Sequence, residues 1–172
     1  MIIEIKHNRR SLLKRVFLSG KRTGKGKEYL NEKLIFEGEY FNGEKNGYAK
    51  EYDWNGNLKF EGEYLYNKKR KGKYYIDGKL EYEGEYLYDK KWNGKGYDEN
   101  GNIIYELRNG TGKVKEYFEH GKLKFEGEYL NGKFHGICKL YNPINYRFIL
   151  EAEYSNDKLI RQLKRYFLSE KP

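Results

Sequence analysis

One short string recurs along this chain at nearly even intervals. Phe-Glu-Gly-Glu-Tyr stands at Phe36–Tyr40, Phe60–Tyr64 and Phe125–Tyr129, and close variants stand at Tyr82–Tyr86 and Leu150–Tyr154. The copies begin near residues 13, 36, 60, 82, 105, 125 and 150. A nearly constant period in this range is typical of proteins built by stacking one small unit many times. The first six copies are expected to be whole and the seventh truncated.

Each copy has the side-chain alternation of a β-strand. Along Phe36–Tyr40 the aromatic and glycine positions fall on one face and the two glutamates on the other. Asn42-Gly43 then predicts a turn, Gly47–Tyr52 a second strand, and Asn55-Gly56 a second turn. Asn-Gly pairs favour tight turns that require positive φ. Each copy therefore predicts one β-hairpin, and the whole chain a continuous antiparallel meander.

Composition alone is ambiguous, because a mean hydropathy of −1.08 with 35% charged residues is typical of disordered chains. Disordered chains are poor in aromatic residues, whereas this one holds 19 Tyr and 9 Phe. Each buried ring removes about 150–250 Å² from water. A glycine inside a strand is expected to leave room for a ring from a neighbouring hairpin. The aromatic side chains are therefore predicted to form the core.

The string Phe125–Gly136 resembles the unit of the MORN repeat family, and Tyr117–Leu123 resembles the MORN variants common in bacteria. The resemblance covers residues 13–154. It implies an all-β fold, an elongated single-layer antiparallel β-hairpin repeat solenoid that acts as a scaffold. It also implies lipid binding and, for the bacterial variants, an antitoxin-like role. The fifth copy departs from the pattern because Leu107 replaces its strand glycine, so the array is expected to kink there.

A repeat array needs covered ends, because its terminal units otherwise expose apolar surface. Residues 1–12 are expected to form a basic N-terminal cap on a strand or short helix, residues 13–154 the array, and residues 155–172 a C-terminal cap. An amphipathic helix is predicted for the last segment, with Asp157 as its N-cap. Apolar residues follow helical spacing at Leu159, Ile160, Leu163, Tyr166 and Phe167. The alternative is a basic helix that binds a membrane or a partner.

The net charge of +9 is concentrated at one end. Residues 1–35 hold ten Lys and Arg against three acidic residues, whereas residues 36–149 hold 20 against 19. Such an end attracts anionic surfaces, and each cation near an anionic leaflet contributes about 1 kcal/mol. The candidate contacts to an anionic surface are Arg9, Arg10, Lys14, Arg15, Lys21, Arg22, Lys25 and Lys27.

The sequence contains no catalytic constellation. His7, His120 and His135 lie in different segments without metal-ligand spacing, and the lone Cys138 is expected to be a buried hydrophobe. The Glu pairs recur in nearly every copy, whereas catalysis needs one pair in an asymmetric environment. They are instead predicted to pair with lysines on neighbouring strands: Lys50, Lys73, Lys115 and Lys139. No enzyme activity, metal, cofactor or small-molecule substrate is expected.

Three functions fit these features. A scaffold that binds another protein or forms a homodimer through its aromatic face is favoured; peripheral binding to anionic membranes is the alternative, followed by an antitoxin-like partner. Nucleic acid is disfavoured because the body of the chain is nearly neutral, and sugar or choline binding because only Trp54 and Trp92 occur. Candidate partner contacts are the second-strand tyrosines, with core packing as their alternative: Tyr29, Tyr52, Tyr75, Tyr97, Tyr117 and Tyr141.

The expected location is the cytoplasm, at the membrane periphery or cytoskeleton if those partners apply. No apolar stretch approaches the roughly 20 residues of a transmembrane helix. The first residues, Met1–Lys6, lack the long apolar region and cleavage site of a secretory signal.

Overall fold

The computed structural model describes residues 2–8, 11–19, 21–118, 120–145 and 147–165, and its regular elements are all β-strands. The prediction of an all-β hairpin repeat solenoid is confirmed. In the described ranges there is no helix of the length and apolar character needed to cross a membrane. The chain divides into two compact units, Met1–Asp89 and Lys90–Pro172.

Unit 1 is an antiparallel meander in which each strand pairs with the next. Its strands are β1 (Ile2–Asn8), β2 (Ser11–Phe17), β3 (Gly24–Leu30), β4 (Lys33–Phe41), β5 (Glu44–Tyr52), β6 (Leu58–Leu65), β7 (Lys68–Ile76) and β8 (Lys79–Leu87). The segment expected to cap the N-terminus thus supplies a strand, β1, that pairs with the first strand of the first copy.

Unit 2 repeats the same meander. Its strands are β9 (Lys90–Tyr97), β10 (Ile103–Leu107), β11 (Gly112–Tyr117), β12 (Leu123–Leu130), β13 (Lys133–Tyr141), β14 (Phe148–Ser155) and β15 (Lys158–Arg165). The fifth copy is the irregular one: β10 and β11 belong to different ladders, and an isolated bridge between Arg108 and Thr111 joins them.

The predicted C-terminal capping helix is wrong for the described residues. Asn156 and Asp157 adopt φ of 52° and 68°, and this tight turn sends the chain back along β14 as strand β15. The seventh copy is therefore a complete hairpin rather than a truncated one. Helical spacing of apolar residues was misleading because cross-strand hydrogen bonds, which the local pattern does not reveal, decided the conformation. Tyr166 and Phe167 lie outside the described residues.

Consecutive hairpins are tied together at their turns. The side chain of Asn67 accepts a hydrogen bond of 2.8 Å from the backbone N–H of Lys45, in the preceding hairpin. Asp89 accepts one of 2.9 Å from the backbone of Lys69 in the same way. Backbone bonds such as Asn67 N–H to Lys45 C=O reinforce the stacking. The turn residues therefore fix how one copy sits on the last.

The aromatic face, the side of the sheet on which Phe36 and Tyr40 lie, forms the core. In unit 1 its rings make a continuous series of edge-to-face contacts, with centroids 5.1–5.6 Å apart: Phe17, Tyr40, Phe36, Tyr64, Phe60, Tyr86 and Tyr82. Each such contact contributes about 0.5–1.5 kcal/mol beyond the burial of its area. Six of the seven rings are buried, so the aromatic residues replace an aliphatic core in this unit.

The glycines only partly follow the expectation that rings would lie over them. A Cβ on Gly96 would stand 2.0 Å from Tyr105, and one on Gly26 2.8 Å from Tyr40, so these second-strand glycines do accommodate rings. A Cβ on the first-strand Gly38 would instead meet the Cβ of Ala49 at 2.3 Å. Gly38 therefore permits close approach of the neighbouring strand rather than of a ring.

Candidate functional site

Charged groups on the aromatic face form hydrogen bonds and ion pairs within the core. The hydroxyl of Tyr64 donates to Glu51 at 2.5 Å, and that of Tyr129 donates to Glu116 at 2.7 Å. Glu51 also lies 2.8 Å from the ammonium group of Lys69, whose side chain is 18% exposed. Because acceptors and cations are already satisfied within the sheet, this network fixes ring positions and offers little to a ligand.

Burial and hydrogen bonding shift the pKa values of the groups in this network. Burial opposes the charge on Glu51, but Lys69 and Tyr64 outweigh it and hold the pKa of this carboxyl below its ordinary value of 4.5. Burial and the neighbouring carboxylate raise the pKa of the Tyr64 phenol. Neither group is prepared for proton transfer near neutral pH.

The opposite side of the sheet is the charged face, defined by Glu37 and Glu39 and their equivalents in other copies. Cross-strand ion pairs occur on it for two of the four lysines predicted to form them: Lys73 lies 3.8 Å from Glu83, and Lys115 lies 3.2 Å from Glu126. Exposed pairs of this kind contribute at most about 1 kcal/mol each. They nevertheless neutralise the face locally.

Two of the tyrosines predicted to bind a partner lie on this charged face and not on the aromatic one. Tyr52 donates to Glu37 at 2.6 Å, and Tyr75 donates to Glu61 at 2.7 Å. Burial and these hydrogen bonds raise the pKa of each phenol to about 12. All six candidates are half-buried: Tyr29, Tyr52, Tyr75, Tyr97, Tyr117 and Tyr141.

The charged face contains a shallow hollow in each unit. One of 460 Å³ in unit 2 includes Lys113, Lys139, Glu126 and Glu151 in its wall, and one of 280 Å³ in unit 1 is lined in a similar way by residues of β3, β4 and β5. Both mix opposite charges without a nucleophile paired to a base. Across the residues described, His, Cys, Asp and Glu form no group of three able to hold a metal ion.

The basic N-terminal residues are brought only partly to the surface. Arg15 is ion-paired with the buried Glu28, Arg22 lies 2.6 Å from Glu4, and Lys27 lies 3.2 Å from Glu37. Lys21 and Lys25 are exposed and Lys14 is half-buried. Arg9 and Arg10 lie outside the described residues. Arg15 is half-buried and its charge is paired with Glu28, whereas Arg22 is exposed despite its ion pair.

Sequence reasoning missed an exposed apolar row at the turns of unit 1. Phe41, Leu65 and Leu87 extend the Glu-x-Glu alternation by one step, so they lie on the charged face where each strand enters its turn. The strands that carry these three residues are separated by one intervening strand, so neighbouring members lie roughly 10 Å apart. The turn-edge row consists of six exposed residues: Leu18, Phe41, Leu65, Tyr66, Leu87 and Tyr88.

Tyr66 and Tyr88 are unusual members of this row. They occupy the first central position of two-residue turns, with φ of 48° and 51°, where Asn42 and Asn131 stand in other copies. A bulky side chain at positive φ is strained, whereas Asn tolerates this conformation. Tyr66 is 62% exposed and Tyr88 78%, so burial does not compensate for the strain. In the sequence they could have been recognised as Tyr at a turn position where other copies have Asn.

Comparison with models of protein families and with curated proteins finds no match to this chain.

Proposed function

We propose that this chain is a non-catalytic repeat scaffold, MORN-like in its unit, that binds another protein through the turn-edge row. The observation that carries the proposal is the pair Tyr66 and Tyr88, which are exposed and held at positive φ. Strained, exposed residues that the surrounding structure maintains at a stability cost point to function. Exposed tyrosines flanked by apolar side chains also have the composition of binding hot spots.

The second-strand tyrosines have a weaker case as anchors than this row. Tyr52 and Tyr75 are half-buried, and their hydroxyls are occupied by Glu37 and Glu61. A partner that used them would have to displace these hydrogen bonds. Tyr52 and Tyr75 also lie at the ends of their strands that are far from the turns carrying the row, so they support the sheet rather than the proposed contact.

The test is affinity capture with the intact chain as bait, comparing wild type with the double variant Tyr66→Asn/Tyr88→Asn. Because Asn suits both turns, the variant is expected to stay folded and to lose at least ten-fold in retained partner. Tyr52→Phe/Tyr75→Phe is the matched control and is expected to retain the partner. An unchanged partner set for the Asn variant would refute the proposal, and a concentration-dependent mass in light scattering would identify the partner as a second copy.

Binding to anionic membranes is the second candidate, favoured by exposed Lys21 and Lys25. Flotation with vesicles of neutral phosphatidylcholine and of phosphatidylcholine with phosphatidylserine decides it. Lys21→Gln/Lys25→Gln is expected to reduce recovery with the anionic vesicles. Equal recovery with both vesicle types argues against this function.

A further inference from the structure

On the charged face, acidic and basic strands alternate across the meander. Lys50 stands in register between Glu37 on β4 and Glu61 on β6. Lys139 stands in the same way between Glu126 on β12 and Glu151 on β14. A central cation of this sheet therefore has an acidic neighbour on both sides, which favours the pairing of its strand with two acidic strands.

Strand β15 breaks this rule. Lys164 faces Glu151 and Arg161 faces Glu153, with the guanidinium 3.1 Å from the carboxylate, but both contacts come from β14. In the described part of the chain, β15 is the last strand of its ladder and has a strand neighbour on one side only. It carries no acidic residue, and all of its residues except one are exposed.

The charges of β15 select what its outer edge can accept. The strand holds four cations: Lys158, Arg161, Lys164 and Arg165. A second copy that paired through its own β15 would place cations opposite cations, which is destabilising. An outer strand with acidic side chains at alternate positions would instead continue the alternation seen in the rest of the sheet.

We propose that the outer edge of β15 binds an extended acidic segment of a partner protein by strand addition. Backbone hydrogen bonds to the edge supply affinity. Arg161 and Lys164 are three residues apart, but a register shift in the pairing with β14 places them opposite Glu153 and Glu151. An added strand with acidic side chains two residues apart therefore faces both cations and gains register and specificity. This inference goes beyond the turn-edge row: it rests on the proposed scaffold role, but it concerns a different unit of the chain and a different kind of contact.

The probe is a labelled peptide with the sequence of β12, Leu-Lys-Phe-Glu-Gly-Glu-Tyr-Leu, added to the full chain. Polarisation is expected to show saturable binding that weakens with added salt. Hydrogen exchange is expected to slow within Lys158–Arg165. A peptide with both Glu replaced by Gln should bind at least ten-fold more weakly, because it keeps the backbone contacts and loses the charges.

Protein variants separate the edge from general electrostatic attraction. Lys164→Glu is expected to weaken binding at least ten-fold, whereas Lys158→Glu, which changes net charge equally but pairs with Ser155 beside the turn, should change it less than two-fold. A peptide with Lys in place of both Glu should bind the Lys164→Glu protein better than wild type. This rescue shows that the variant still presents the edge.

Three results would overturn the inference: no saturable binding, equal affinity for the Glu and Gln peptides, or protection confined to Ile2–Asn8 at the other edge. The Tyr66→Asn/Tyr88→Asn protein should bind the peptide as wild type does. If the peptide does not bind but partner capture still depends on Tyr66 and Tyr88, only this inference is wrong. If the peptide binds but partner capture does not depend on Tyr66 and Tyr88, only the turn-edge site is wrong.

Discussion

The hydroxyl of Tyr64 donates to the carboxylate of Glu51, thirteen residues earlier, and the same spacing joins Tyr129 to Glu116. Tyr86, the equivalent tyrosine of the fourth copy, lacks this arrangement. Glu51 lies opposite Phe60, whereas Tyr74 lies opposite Tyr82, and the buried hydroxyl of Tyr86 has no hydrogen-bond partner among the described residues. Equivalent tyrosines on one face of the sheet thus differ: within the described part of the chain, the hydroxyl of Tyr64 is hydrogen-bonded and that of Tyr86 is not.

Removing these two hydroxyls should have opposite consequences. Tyr64→Phe is expected to lower the free energy of unfolding by about 1.5–3 kcal/mol, because it deletes a hydrogen bond to a charged group. Tyr86→Phe should be neutral or stabilising by about 1 kcal/mol, because it removes a buried polar group that lacks a partner. Urea unfolding followed by circular dichroism measures both. Equal losses for the two variants would contradict this account.

Stability should fall on acidification in a way that depends on Glu51. Its folded pKa lies below its ordinary value of 4.5, so its contribution is fully present above pH 4.5 and is lost as the pH falls through the folded pKa. Glu51→Gln should therefore be less stable than wild type at pH 7 and approach it as the pH falls towards 3. Urea titrations at several pH values test this. A constant difference between the two proteins would show that the charge is not responsible.

Relieving the strained turns should stabilise the fold. Tyr66→Asn and Tyr88→Asn are each expected to raise the free energy of unfolding by about 1 kcal/mol, because Asn adopts positive φ more readily. The mirror control is Asn42→Tyr, which introduces the same strain into a regular turn and should lower stability by a similar amount. Thermal unfolding is a suitable measurement, and destabilisation by Tyr66→Asn would mean that the tyrosine ring makes a favourable contact.

Gly96 should not tolerate a methyl group. In Gly96→Ala the new Cβ would stand 2.0 Å from the Tyr105 ring, and the resulting shift is expected to cost roughly 1–3 kcal/mol. Lys95→Ala, at the exposed neighbouring position, should cost less than about 1 kcal/mol because its ion pair with Glu106 is exposed.

A double-mutant cycle with Tyr105→Leu identifies the cause of the Gly96 effect. If the ring is responsible, Gly96→Ala should be better tolerated in the Tyr105→Leu background. Additive losses would place the strain in the backbone instead.

The sequence by itself determined the strands and most of the turns. Alternation along Phe36–Tyr40 and the Asn-Gly pairs are local signals, because side-chain direction has a period of two and positive φ favours few residues. The same signals identified the core face and the Lys-to-Glu pairing of the other face. Each of these depends only on neighbours along the chain and on the next copy.

Tertiary structure decided what depends on cross-strand partners. Apolar spacing near Leu159 and Ile160 favoured a helix, but pairing with β14 made this segment a strand. Tyr52 was expected on the aromatic face, yet it reaches Glu37 on the charged side. Tyr66 and Tyr88 became strained only because the two flanking strands impose a two-residue turn on them. In each case hydrogen bonds between strands outweighed a local preference of about 1 kcal/mol.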